Sequence, residues 1–234
     1  MIKNVYFDNI ATSDDWNLVF ITKSTPFPDI KEQVVDIPLT DGVIDYSEVA
    51  TGRVEYERRE IKMQFYIFAD YLTWHTLKSQ IAKAIHGKNK RIVFDDELDY
   101  FYYGRVAVSD ITYVQRGVGK ITITAQCKPF KYAVVATNEP WIWDSFNFET
   151  GIIQELYDLE VDGSLEVIII CNEYSYGALV ITTDTAMTVT YDEETYDLAV
   201  GNNTMFDILL SEGENTLEFT GTGTVSINYR GGEL

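Results

Sequence analysis

Histidine and cysteine are scarce in this chain, with two of each among 234 residues. Cys127 and Cys171 sit in separate apolar stretches, ITITAQCKPF and LEVIIICNEY. Their spacing fits no metal motif, and two thiols make no disulfide scaffold. They read as buried free thiols, compatible with a reducing cytoplasm. His75 and His86 lie three turns apart on one expected helix, too far to share an ion. No apolar run reaches the 18 or so residues of a membrane-spanning helix. The opening residues, MIKNVYFDNIATSDDW, hold no continuous apolar segment before a small-residue cleavage site, so no secretory signal is expected.

Basic residues are also scarce, but only in one part of the chain. Up to Tyr132 there are 17 Lys and Arg against 18 Asp and Glu; beyond it Arg230 is the lone basic residue against 19 acids. Such asymmetry points to two domains with different surroundings. The acidic part repels nucleic acid and anionic membranes, and neither is expected as a partner. The nearly neutral part is able to approach its own copies without large repulsion. The expected division is residues 1–133, a linker at 134–140, and an acidic domain at 141–234.

The patterning that is present is mostly that of strands. IKNVYFDNI and WNLVFITKS read as short strands, with Pro26 and Pro28 marking a turn or an exposed edge. TDGVIDYSEVATG reads as a turn-rich excursion. RVEYERREIKMQFYIF reads as one long strand whose phase changes near Arg59–Glu60, with Ile61, Met63, Phe65 and Ile67 in a period-two row. One helix is expected, over DYLTWHTLKSQIAKAIHG, with Trp74, Leu77, Ile81 and Ile85 on its apolar face. Asp70 suits its start and Gly87 its stop, with Lys83 and Lys88 near the negative end of the dipole. RIVF, a polar turn DDELD and YFYYGRVAVSDITYV follow, then KITITAQC, in which Ile121, Ile123 and Ala125 alternate with polar residues. After residue 140 come short β-prone runs separated by Gly, Asn and Asp, as in a sandwich of roughly eight strands. GENTLEFTGTGTVSINY reads as its last hairpin, with Leu217 and Phe219 facing one way and Val225, Ile227 and Tyr229 on the returning strand. The expected class is mainly β: an antiparallel, sandwich-like N-terminal domain with one helix, followed by a second β-sandwich.

Chemistry finds little footing. His86 is the strongest acid–base candidate, with Asp95 and Asp96 as conceivable partners, but a general base needs an orienting group and a pocket. GKNKR lacks the spacing of a phosphate loop, and DDELD lacks the glycine of a calcium loop. DEET at 192–195 reads as a solvated turn. Carboxylates are too many for any pair to single out a glycosidase. Trp141, Trp143, Phe146, Phe148, Tyr174 and Tyr176 offer flat surfaces for sugar rings, although aromatics beside a domain junction also suit packing. Tyr100 to Tyr103 lie near Lys88, Lys90 and Arg91 as in single-strand binding, but four carboxylates intervene. No catalytic, cofactor or metal residue is therefore assigned, and no enzymatic turnover is expected.

An ordered set of segments nevertheless resembles the distal tail proteins of bacteriophages with long, non-contractile tails, and of related prophages. In IPLTDGVIDYSEVATGRVEYERREIKMQF the resemblance is carried by Pro38, Asp41, Gly42, Asp45, Gly52, Tyr56, Arg58 and Arg59. In LKSQIAKAIHGKNKRIVFDDELDYFYYGRV it is carried by Gly87, Phe94, Asp95, Tyr103, Gly104 and Arg105, and in ITAQCKPFKY by Cys127, Pro129, Phe130 and Tyr132. Together they cover most of residues 1–132. GENTLEFTG resembles the penultimate turn and strand of the galectin-like or carbohydrate-module-like sandwich that follows in many members. The resemblance implies a ring, usually of six copies, built through the N-terminal domains and the 26–52 excursion. It would join the tail tube and tape-measure proteins to tail-tip or receptor-binding proteins and leave a channel for DNA. It implies a place at the virion tail tip after assembly in the host cytoplasm, and no cofactor.

Overall fold

The computed structural model describes residues 4–38, 41–49, 54–139, 154–172, 174–175 and 177–234. The chain forms two compact units: residues 1–97 with 102–129 and 234, and residues 98–101 with 130–233. Described strands and helices are mainly antiparallel β, with two short α-helices and one 3-10 turn.

The first unit runs through β1 (Val5–Phe7), β2 (Ile10–Ala11), α1 (Thr12–Trp16), β3 (Leu18–Ser24), β4 (Val34–Asp36), β5 (Val43–Asp45), β6 (Arg59–Phe68), α2 (Trp74–Ile85), β7 (Asn89–Phe94), β8 (Glu97–Val108, whose residues 98–101 belong to the second unit), β9 (Thr112–Gln115) and β10 (Val118–Cys127). Its spine is the β6–β10 ladder, in register from Arg59↔Cys127 to Phe68↔Val118. Alternation sends Ile61, Met63, Phe65 and Ile67 of β6, and Ile121, Ile123, Ala125 and Cys127 of β10, into one core. Trp74, Ile81 and Ile85 of α2 join that core, so the helix's apolar face packs on the sheet. Each large side chain buried there contributes about 1.5–3 kcal/mol of transfer free energy.

Several sequence expectations change in detail. The long strand expected from residue 53 begins only at Arg59; before it, Tyr56 forms an isolated bridge with Ile30. Arg59 belongs to the inward row and is itself buried, so no phase reset occurs. The turn over DDELD narrows to Asp95–Asp96, because Glu97, Leu98 and Asp99 already belong to β8. The next expected strand divides into β8 and β9 around Ser109–Ile111. Helix α1 is an element beyond the one helix expected. The Asp15 carboxylate accepts from Ala11 N–H at 2.7 Å, Asn4 Oδ1 accepts from Ser13 N–H at 2.7 Å, and Asn17 ends the helix in the left-handed region. These caps hold five residues that are too short for a periodic signal.

The second unit contains β11 (Lys131–Ala133), β12 (Leu159–Cys171), β13 (Tyr174–Ser175), β14 (Leu179–Thr183), β15 (Met187–Tyr191), β16 (Glu194–Leu198), β17 (Gly201–Met205), β18 (Gly213–Asn228) and β19 (Gly231–Glu233). Six of these form a sheet ordered β16–β15–β18–β14–β17, with β12 on the other side of β18. Residues 134–139 belong to this unit, with Val134 N–H donating to Asp99 O at 2.9 Å and Thr137 N–H to Tyr229 O at 3.2 Å.

The expected final hairpin is one continuous 16-residue strand, β18. Its two inner glycines, Gly221 and Gly223, mark a change of partner, not a reversal. Before them β18 pairs with β15, and after them with β14, while β12 runs along the opposite edge for thirteen residue pairs. The turn joining β14 to β15 crosses at this point. A Cβ at Gly221 would lie 2.6 Å from Met187 Cβ, and one at Gly223 would lie 2.3 Å from Thr185 Oγ1. Only glycine tolerates that approach together with φ of +154° and +147°.

Two asparagines lock turns ahead of neighbouring strands with the same bonding pattern. Asn203 Oδ1 accepts from Ala199 N–H at 2.9 Å, and its Nδ2 donates to Ala199 O, Gly201 O and Ile181 O. Asn215 Oδ1 accepts from Ser211 N–H at 2.9 Å, and its Nδ2 donates to Ser211 O, Gly213 O and Ile169 O. The corresponding sequences are AVGNNTM and SEGENTL, a spacing repeat of Gly-x-Asn-Thr.

Candidate assembly interface

The excursion after β3 leaves apolar side chains outside. Strands β4 and β5 pair as Val34↔Asp45, Val35↔Ile44 and Asp36↔Val43, and all six residues are exposed. Phe27 and Val49 are 78% and 73% exposed, and Ile30, Ile37 and Tyr46 are also open to solvent. The arm is tied at its base. Lys31 N–H donates to Glu55 O at 2.9 Å, Glu57 N–H to Asp29 O at 2.7 Å, and Lys31 Nζ lies 3.1 Å from Glu55 Oε2. Within the arm, Asp45 Oδ1 accepts from Ser47 N–H at 2.8 Å, and Ser47 Oγ accepts from Gln33 N–H at 2.8 Å. The Ser47 hydrogen bonds hold the Asp45 carboxyl below its usual pKa. A two-stranded hairpin is marginal by itself in water. One this apolar on the outside is the surface expected of a chain that assembles.

The sheet of the first unit also has unpartnered edges. Among the described residues β3 pairs with β6 alone and β9 with β10 alone, on opposite sides of the β6–β10 pair. All four residues of β9 are exposed, including Tyr113 and Val114. An edge on one side and a different edge on the other suit head-to-tail contacts between copies.

The histidines, lysines and carboxylates with catalytic or binding potential serve as local fastenings. His86 follows α2, and its Nδ1 accepts from Val108 N–H at 3.0 Å. Asp95 accepts from Asn4 N–H at 2.7 Å, and Asp96 pairs with Lys23 at 2.7 Å. His75 Nε2 meets its neighbour Thr76 Oγ1 at 3.2 Å. Lys88 Nζ donates to the α2 carbonyls of Lys83 and Ala84, and Arg105 donates to Gly87 O at 2.5 Å. Gly87 stops the helix with φ of +73°. Lys90 pairs with Asp8 at 2.6 Å. The DEET stretch is a hairpin turn with Asp192 and Glu193 at positive φ between β15 and β16. Among the described residues, no group of three or more His, Cys, Asp or Glu is placed to hold a metal ion.

The aromatic run is buried in three of its four positions. Tyr102 packs in the first core against Phe94, with ring centroids 5.9 Å apart, and the Arg59 guanidinium lies 5.5 Å over its ring. Arg59 Nε and Nη2 have no hydrogen-bond partner among the described residues, and burial lowers the guanidinium pKa. In the second unit Phe101 packs against Tyr132, and Tyr100 O–H donates to Glu233 Oε1 at 2.6 Å. Arg230 lies over Phe101 and donates to the carbonyls of Ala133 and Val134. Burial pushes the Cys127 thiol up to about 12 and the Cys171 thiol up to about 11, so both stay protonated at neutral pH. The sugar-platform candidates Trp141, Trp143, Phe146, Phe148 and Tyr176, and the side chain of Tyr174, lie outside the described residues. Gly52 does too, so its part in the arm is not described.

Residues 10–127 match the model of the phage tail protein RIFT-related domain family. No curated protein matches the chain. Among solved structures, the chain is similar to the crystal structure of SPP1 Dit (gp 19.1), described as a paradigm of the hub adsorption apparatus in phages that infect Gram-positive bacteria. The two share 13% identity and a TM-score of 0.60, with 99% of each chain covered. The likeness extends through both units at the level of fold.

Proposed function

Since this chain belongs to the phage tail protein RIFT-related domain family, we propose that it is a structural hub protein of a phage tail tip. Its copies form a ring, taken to be hexameric, around a channel through which DNA passes. The ring joins the tail tube and tape-measure end to tail-tip or receptor-binding proteins, after assembly in the host cytoplasm. The first unit builds the ring. The second, a galectin-like or carbohydrate-module-like sandwich, extends the hub towards peripheral proteins. The fold likeness to a hub protein over nearly the whole chain supports this reading.

The observation that carries it is the tethered arm with its exposed apolar strands. In a monomer those side chains meet water; against a neighbouring copy their burial drives association. Near-neutral charge in the first part of the chain removes the like-charge barrier to packing copies together.

Mass measurement and negative-stain imaging test the proposal. Wild-type protein, alone or with tail partners, should form a closed ring with a central opening. The double variant Val35→Asp, Ile44→Asp should be monomeric with an unchanged far-UV spectrum, because both positions are exposed in the single chain. A wild-type chain that stays monomeric with its partners would overturn the ring, and variants that assemble normally would overturn the arm's part in building it.

A further inference from the structure

In the second unit, β12 is an edge strand of thirteen residues, and among the described residues it pairs with β18 alone. Its outer edge is engaged at one end. There the Gln154 side chain imitates a pairing strand: Oε1 accepts from Ile170 N–H at 2.9 Å and Nε2 donates to Ile170 O at 2.5 Å. The main chain of Ile170 therefore faces away from β18. By the strand's period of two, Glu166 and Ile168 turn their N–H and C=O groups the same way. The side chains flanking this edge are acidic and then apolar. Glu160, Asp162 and Glu166 are exposed, as are Ile168 and Ile170, at 48% and 40%.

We infer that the outer edge of β12 is a docking site for an extended, cationic segment of a partner protein, added as a further strand antiparallel or parallel to β12. Charge selects the occupant. The sequence from residue 134 to 229 has no Lys or Arg, so a second copy of this unit brings like charge to the edge, whereas a basic strand brings its complement. Main-chain hydrogen bonds supply the attachment. Ile168 and Ile170 offer contact to alternate apolar side chains of the incoming strand, and the carboxylates meet its basic ones. The inference concerns the second unit alone and does not depend on ring formation, since the edge is defined within each copy.

The test uses the full-length protein and three labelled synthetic peptides, read by fluorescence anisotropy at low and high salt. One alternates Lys with Val, one alternates Glu with Val, and one is the Lys–Val peptide interrupted by two prolines. The Lys–Val peptide should bind at least tenfold more tightly than either control and weaken as salt rises. Ile168→Pro removes an N–H aimed at the free edge and leaves the β18 ladder its bonds. It should reduce Lys–Val binding at least tenfold. Glu166→Gln, which leaves the backbone unchanged, should reduce it severalfold, which covers the case in which the proline variant does not fold. Equal binding of the proline-interrupted peptide would show electrostatic adhesion without strand addition and overturn the inference. So would binding of the Glu–Val peptide, or no binding at all. Either result leaves the imaging test of the ring untouched.

Discussion

One buried polar side chain in each unit makes a contrast. The first buries Arg59, a cation held over the Tyr102 ring with two of its nitrogens unpartnered among the described residues. The second buries Asn215, whose amide oxygen and nitrogen are both fully used in fixing one turn. A buried charge with incomplete bonding adds little net stability, whereas a satisfied amide holds backbone groups that would otherwise be stranded. Arg59 therefore adds little to the apolar layers around it, whereas Asn215 clamps the turn ahead of its strand, as Asn4 clamps the start of α1 in the first unit.

The largest effect expected is shared by both units. Phe65→Ala and Phe219→Ala each remove a fully buried ring, and each should cost about 3–5 kcal/mol in denaturant unfolding. Hydrogen exchange should assign the loss to the unit that carries the change. The next pair separates the units. Asn215→Ala should cost about 1–2 kcal/mol by removing the amide bonds that hold the backbone of Ser211 and Gly213 in their turn. Arg59→Met should change stability by no more than about 1 kcal/mol, and in the stabilising direction, because an apolar chain replaces an incompletely bonded cation. A severe loss in the arginine variant would erase the contrast drawn between them.

Titration gives a gentler comparison. Burial raises both thiols, so each contributes stability below its unfolded pKa, near 8.5, that is lost as pH rises towards its folded value. That window extends to about 12 for Cys127 and about 11 for Cys171. Alkylation monitored by mass should label Cys171 before Cys127 as pH increases, and neither at pH 7. The smallest effect belongs to Asp184, whose Oδ1 accepts from Thr224 N–H at 2.7 Å and whose pKa is lowered by that bond. Its contribution is present above the ordinary carboxylate pKa and is lost as pH falls through the lowered value. Asp184→Asn should leave the melting temperature at pH 7 almost unchanged and slightly flatten its acid dependence.

Sequence reading was most successful where periodicity was long. The row Ile61 to Ile67, the row Ile121 to Ala125 and the face of α2 all pack as their spacing implies. It failed where a contact distant in sequence overrides a local signal. GTG reads as a turn because nothing nearby reveals that the 184–186 turn will press on those glycines. Arg59 reads as the point where a long strand changes phase, because its inward place opposite Cys127 is set by strand register. Helix α1 depends on Asn4, which precedes the helix by eight residues. The arm was legible as an excursion through Pro26, Pro28 and its turn residues. That its valines and isoleucines remain outside was not, since the same residues would suit a core strand. The repeated Gly-x-Asn-Thr was available in the sequence, and would have flagged both asparagine clamps.

The long pairing of β12 with β18 has a consequence for the order of events in synthesis. β12 ends at Cys171 and its partner begins at Gly213, so the ribosome delivers one strand well before the other. Until then VIII at 167–170 is an apolar, β-prone segment without its native neighbour. Glu160, Asp162 and Glu166 precede it in the chain and act as gatekeepers, keeping the waiting strand soluble and apart from its copies.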